Sequence, residues 1–267
     1  AGARRRGLDC ERGVLTFRSG GGIAIPADDR RGRTGTGRVP EMGGTAFRKD
    51  AVAIAPLSKE TLQERVHRHL AELILDGSIV PGEMVTVQSL ADAFGVSPMP
   101  VREALRRLTA AKALTVVSGR SIGIPALSRR RLTDLRNVRF EIEAIAGAWA
   151  AARVDAPTLD VLAQHLDSLE SANAGGDIKA YLRANYAFHF AIYRAAGSEN
   201  LISIIENLWL QISPYFHMLH DSGNYSTANA HHQAMFAALR RGDAEAAKAA
   251  IRSDIDAAYQ VLLGQLD

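Results

Sequence analysis

The chain has 267 residues, enough for one large domain or two modest ones, and its 47% apolar content is ordinary for a soluble protein. The single cysteine, Cys10, excludes an intrachain disulfide, and no apolar run reaches the length of a bilayer or of a signal peptide, so a cytoplasmic protein is expected. The net charge of +3 is unevenly placed: residues 1–50 hold 11 Lys+Arg against 6 Asp+Glu and the rest hold 21 against 23, so bulk charge does not argue for nucleic-acid binding.

Residues 1–55 contain 11 of the 23 glycines and no sustained periodicity, which predicts a disordered, basic, Gly-rich tail. It is either an arm that adds non-specific DNA contact or an extension ahead of a start at Met42. Leu62, Val66, Leu70, Leu73 and Ile74 then recur at helical spacing over 59–75, stopped by Gly77 and Pro81-Gly82. A short helix is expected over 88–94, a tight turn at Gly95-Val96-Ser97, and a third helix to about 111. Ser97 stands as its N-cap, Pro98 at its first position, and Val101, Leu105 and Leu108 on its inner face. Residues 114–117 and 122–124, separated by Ser118-Gly119-Arg120-Ser121, read as a hairpin. The remainder reads as helices near 129–153, 157–173, 177–196, 199–217, 226–241 and 243–265. The predicted fold is therefore mainly α: a winged helix-turn-helix over 56–127, then an antiparallel six-helix bundle over 128–267.

In a winged helix-turn-helix the last of the three helices enters the major groove. Arg102, Arg106 and Arg107 lie on that helix away from its apolar face, and Arg102 is early enough to offer its fork to guanine O6 and N7. Ser97 and the helix N-terminus suit a phosphate, and Arg120 in the hairpin turn suits the minor groove or backbone. The blander alternative is a solvated arginine face on a small bundle. In the bundle, Asn185 and His189 are four apart on one helix, and His232 and Asp254 lie on two others, so the four can converge on a divalent ion such as Zn, Ni, Co or Mn. The competing reading is a satisfied buried histidine and surface polar groups. His231 points about 100° away from His232 and does not substitute for it. Tyr215, His217 and His220 close the fourth segment, as a cationic helix end or a pocket mouth, and Trp149 and Trp209 read as core or dimer packing.

The run Pro81-Gly82-Glu83-Met84-Val85, followed by Leu90-Ala91-Asp92-Ala93-Phe94-Gly95-Val96-Ser97-Pro98-Met99-Pro100-Val101-Arg102-Glu103-Ala104-Leu105-Arg106-Arg107-Leu108, closely resembles the GntR family of bacterial regulators. The resemblance implies that Arg102 reads bases, that Ser97 and Arg106 support docking, and that the hairpin is the wing. Pro98 and Met99 stand where many relatives carry Arg and Thr, and Ser121 replaces the usual wing glycine, so a contact at Met99 and the wing-tip geometry depart from the pattern.

Further along, Val138-Arg139 with Glu143, Phe188-His189, Gly197 with Asn200, and His232 before Ala237 and Leu239 resemble the FCD effector domain of the FadR-type branch. Six helices are similar to its VanR-like subgroup. Metal-binding relatives use Asp, His, His and a last His 22 residues on; here the matching positions are Asn185, His189, His232 and Asp254. A divalent ion on this set keeps a charge near +1 and can take a small carboxylate, with Arg139 holding an oxygen through its fork. Tyr186, Tyr215 and His217 are the other candidate effector contacts. The expected protein is a homodimer that binds a short palindromic operator in double-stranded DNA, responds to a small carboxylate, and touches no membrane. The alternatives are a metal-dependent hydrolase, which lacks an obvious general base, and a direct sensor of the metal.

Overall fold

The computed structural model describes residues 61–119, 121–220 and 224–266, and Pro56–Asp267 forms one compact unit. The predicted tail over 1–55, Arg120 at the wing tip and the break at 221–223 lie outside the described residues.

The first helix, α1 (Leu62–Leu75), starts at a capping box in which the Glu64 carboxylate accepts from the Thr61 backbone N–H at 2.7 Å and the Glu64 N–H returns to Thr61 Oγ1 at 3.2 Å. Its buried face is Val66, Leu70 and Ile74. A strand absent from the sequence reading follows, β1 (Met84–Thr86); three residues are too short to show a period. Next come α2 (Val87–Phe94) and α3 (Pro98–Ala110), joined through Gly95, whose φ of 62° is the left-handed cap a helix end favours. The wing strands are β2 (Thr115–Ser118) and β3 (Ser121–Gly123). The sheet order is β1-β3-β2, with Val85 and Val116 both opposite Ile122, so β1 closes the wing against the helices.

One expectation is corrected here. Ser97 holds the extended N-cap conformation, but its side chain makes no capping hydrogen bond; the third helical residue, Pro100, has no N–H to donate to it.

Six α-helices follow among the described residues: α4 (Arg129–Ala151), α5 (Ala156–Gly175), α6 (Ile178–Ala195), α7 (Glu199–Ile212), α8 (Asn224–Arg240) and α9 (Ala244–Gly264). The long α4 lies along α9, with small residues at the crossing. A Cβ on Gly147 would sit 2.3 Å from Ile251 Cδ1, the free end of that side chain, so a larger residue there would make Ile251 shift. Arg136 to Asp256 at 2.6 Å and Thr133 to Tyr259 at 3.1 Å fasten the same pair of helices. The fourth segment is shorter than expected. It leaves the α-helix at Ile212 and continues as a 3-10 turn over Ser213–Leu219, because Pro214 cannot donate to the preceding turn. Trp209 is buried, whereas Trp149, expected in a core or dimer contact, is exposed in the single chain.

The winged-helix unit and the bundle share contacts: α1 packs on α6, α7 and the 3-10 turn. The Tyr215 hydroxyl donates to the Pro125 carbonyl, and Arg131 donates to the Lys112 carbonyl at 2.9 Å.

Candidate functional site

The first candidate surface is the exposed face of α3. Ser97, Met99, Arg102, Arg106 and Arg107 are all exposed, Met99 at 68%. Arg102 joins Thr86, Gln88, Pro98, Val116 and Gly119 in lining a groove between α3 and the wing, which puts its cation at a helix start beside an open channel. The other two arginines are engaged differently. Arg106 is held by Glu103 through bonds of 2.6 and 3.0 Å, which lowers the Glu103 carboxyl from its usual range. Arg107 is turned about 140° from Arg102, and its charge acts on Glu64 and His67 of α1. Gln88, not among the sequence candidates, also lines the groove; nothing in its spacing marks it.

The second candidate is buried in the bundle. Leu182, Asn185, His189 and Tyr193 lie on α6, Arg139 and Glu143 on α4, His232 on α8 and Asp254 on α9. His189 Nε2 is 3.1 Å from His232 Nε2 and 3.5 Å from Asp254 Oδ2, and His232 Nε2 is 3.7 Å from Asp254 Oδ1. Ligand atoms about 2.1 Å from one ion stand about 3.0–3.4 Å apart around an octahedron or tetrahedron, so the triangle is close to the size of a coordination face. Asn185 lines the cavity beside this cluster, as its spacing from His189 predicts.

A chain of hydrogen bonds sets the tautomer of His189. The Tyr193 hydroxyl donates to Glu143 Oε2 at 2.5 Å, and the Tyr193 hydroxyl oxygen is 3.0 Å from His189 Nδ1. A hydroxyl has one proton, so Tyr193 must accept from His189 Nδ1–H, leaving Nε2 with a free pair facing His232 and Asp254. Glu143 in turn accepts from Arg139 Nε at 2.6 Å and Nη2 at 3.3 Å. This is the outer support that metal-binding imidazoles use. His232 has no such support: its Nδ1 is buried without a partner among the described residues.

Burial dominates the electrostatics. Desolvation, then the charges of His232 and Arg139, holds His189 well below the ordinary histidine value. Burial, then His231, pushes His232 down to about 3, so both rings are neutral at neutral pH. Burial raises Asp254 to about 7, with Arg139 opposing and Glu143 adding to the rise. Burial works against the Arg139 charge, yet Glu143 keeps its pKa above the usual value. Two neutral imidazoles, a carboxylate and an adjacent amide are a donor set that fits a borderline divalent ion.

Three sequence candidates for effector contact are not brought to this cavity. Tyr186, one residue beyond Asn185 and so about 100° further round α6, stacks on Phe190 at 4.1 Å. The Tyr215 hydroxyl is taken by Pro125, and His217 Nδ1 lies 2.7 Å from the Pro214 carbonyl in the 3-10 turn. The lining instead includes Arg139, Tyr181, Trp209, Phe216 and Tyr225. Tyr193 was missed although it continues the Asn185–His189 spacing by one further turn of α6.

Comparison with known proteins joins the two regions. The signature described as "Bacterial regulatory proteins, gntR family" matches residues 62–124, and that of the FCD domain matches 134–257. The chain is 30% identical over 188 residues to the HTH-type transcriptional regulator McbR of Escherichia coli (strain K12), covering 69% of this chain and 85% of that protein. It is 26% identical over 203 residues to a probable D-xylose utilization operon transcriptional repressor of Paenarthrobacter nicotinovorans, covering 76% and 89%. The solved structure of E. coli McbR/YncC superposes with a TM-score of 0.72 at 28% identity, covering 78% of this chain and all of that one.

Proposed function

Because this chain belongs to the gntR family of bacterial regulators and carries an FCD domain, we propose that it is a DNA-binding transcriptional regulator whose operator affinity is set by a small organic acid held beside a divalent ion. The DNA-binding regulator follows from the family, whose relatives are regulators and not enzymes. The effector half rests on one observation: His189 and Asp254 of the His189–His232–Asp254 cluster line a cavity together with Arg139.

His189, His232 and Asp254 would hold the ion, with Asn185 beside them, and the ion would supply positive charge and open positions for an anionic ligand. The cavity measures about 30 Å³, room for an ion and little water. An organic acid therefore has to widen it, which means binding a different arrangement of the bundle better than this one. Leu182 connects that change to the DNA-reading unit: it lines the cavity and packs against the turn at Gly77, which follows α1. On the same helix Lys179 donates to Ser78 Oγ at 3.3 Å, and Arg183 lies 3.9 Å from Asp76.

The assignment includes a reading unit over 56–127, an effector domain over 128–267 of the six-helix, VanR-like kind, and a homodimer on a palindromic operator. The exposed Val138, Ile145 and Trp149 along α4 support that dimer. No described helix is long and apolar enough to cross a membrane. The test is selection of a duplex from a random pool, then measurement of its affinity with divalent ion, with a carboxylate panel, and with both. Ion and acid together should shift the affinity. A shift with ion alone supports a metal sensor instead, and no shift at saturating, calorimetrically verified ligand would falsify effector control.

A further inference from the structure

The side chain with the least evident purpose in the bundle is Trp209 of α7. Its ring sits in an aromatic box, 5.2 Å from His189, 5.4 Å from Phe190, 5.7 Å from Phe216 and 5.8 Å from Tyr186, measured between ring centroids. Its Nε1–H is buried and has no acceptor among the described residues. Burying an indole donor this way costs free energy, and a phenylalanine ring would fill much of the box without that cost.

The polar groups near the ring do not relieve it. Arg139, whose Cζ is 5.4 Å from the indole centroid, is itself a donor and is turned by two of its nitrogens onto Glu143. Its Nη1 makes no hydrogen bond to a described residue. Tyr193 gives its proton to Glu143 and takes one from His189, and the Tyr225 hydroxyl donates to the Phe216 carbonyl. Trp209 and Arg139 both line the cavity that holds Asn185, His189 and Asp254. Two residues of one cavity thus carry donors, one of them cationic, that no hydrogen bond joins to the Asn185 and Asp254 oxygens of the same lining.

We infer that the Trp209 indole N–H is a ligand-recognition group, which with Arg139 receives one carboxylate of the effector. One carboxylate oxygen accepts from Trp209 Nε1–H and the other from Arg139 Nη1, so Glu143 can keep its bonds to Nε and Nη2. The role of Trp209 is specificity: an ester or amide of the same acid lacks the charge for Arg139, and a bare cation has nothing for the indole to donate to. The inference rests on the effector reading above.

The indole signals of the full chain, labelled with 15N, provide the test, because the protein has two tryptophans and Trp149 is exposed. The Trp209 cross-peak is the one lost in Trp209→Phe. Acetate and then malonate are titrated against chloride at equal ionic strength, with a divalent ion present. The Trp209 cross-peak should move with carboxylate and the Trp149 cross-peak should not. By calorimetry, Trp209→Phe should weaken carboxylate binding about tenfold, as loss of one hydrogen bond to a charged group implies, and leave the affinity for the ion alone within about twofold. Carboxylate binding that is equally tight in Trp209→Phe, with the wild-type cross-peak still, overturns the assignment of Trp209 and leaves the effector reading standing. No carboxylate binding to the wild-type chain overturns both. Movement with sulfate but not with either carboxylate overturns the choice of carboxylate.

Discussion

The two halves of this regulator place their arginines in opposite circumstances. Arg102 is exposed on α3 and faces a groove, while Arg139 is buried on α4 with its fork on Glu143. An exposed arginine costs nothing to carry and acts when a partner arrives. A buried one has to be paired inside the fold, so it is part of the core before it is part of a site. The exposed face of α3 can therefore be changed with little effect on folding, whereas every change in the cavity tests binding and stability together.

That contrast is most strongly tested at the cluster itself. Asp254→Ala removes the only carboxylate among the three clustered ligands and should lower divalent-ion affinity at least about a hundredfold by calorimetry, with operator binding by the ion-free protein retained. In the wild type, ion at a hundred times its Kd should add about 2.7 kcal/mol to unfolding stability, an increment that chelation reverses and Asp254→Ala lacks.

At the other pole, Arg102→Ala should cost about 1–3 kcal/mol of operator binding, roughly five- to a hundred-and-fiftyfold, and relax preference at the contacted base, while the melting temperature stays put. If it melts markedly lower, the groove is structural and the contrast fails.

Tyr193→Phe sharpens the comparison within the cavity. It leaves His189 Nδ1 without its partner and Glu143 Oε2 with Arg139 Nη2 alone, so ion affinity should fall about tenfold or more and stability by about 1–3 kcal/mol. Equal ion affinity in the variant would show that the tautomer of His189 is set elsewhere.

The smallest expected effect lies between the halves. Lys112, with φ 59°, holds the left-handed position after α3, where the Ala113 N–H closes on the Leu108 carbonyl. Lys112→Gly should raise stability by up to about 1 kcal/mol, read by denaturant unfolding, because glycine adopts that conformation without strain.

The order of elements was readable because each is a local matter. Periodic apolar residues mark the inner faces of α1 and α3, Pro98 and Gly95 mark a helix start and end, and the spacing of Arg102 and Arg106 puts them off the buried face of α3 before any coordinates. So too the pairing of Asn185 with His189, which the pitch of one helix dictates. What sequence spacing left open depends on separate helices meeting. That His189, His232 and Asp254 come within 3.1–3.7 Å is decided by how α6, α8 and α9 pack. The bonds from Arg139 through Glu143 and Tyr193 to His189 cross from α4 to α6. Tyr215 was expected at the cavity, but packing sends its hydroxyl to Pro125, 90 residues away in sequence; Trp209 read as core or dimer packing, and it lines the cavity with an N–H that has no acceptor among the described residues. Local chemistry specifies the helices and turns, but a hydrogen bond between distant residues exists only once burial has fixed which side chains lose water together.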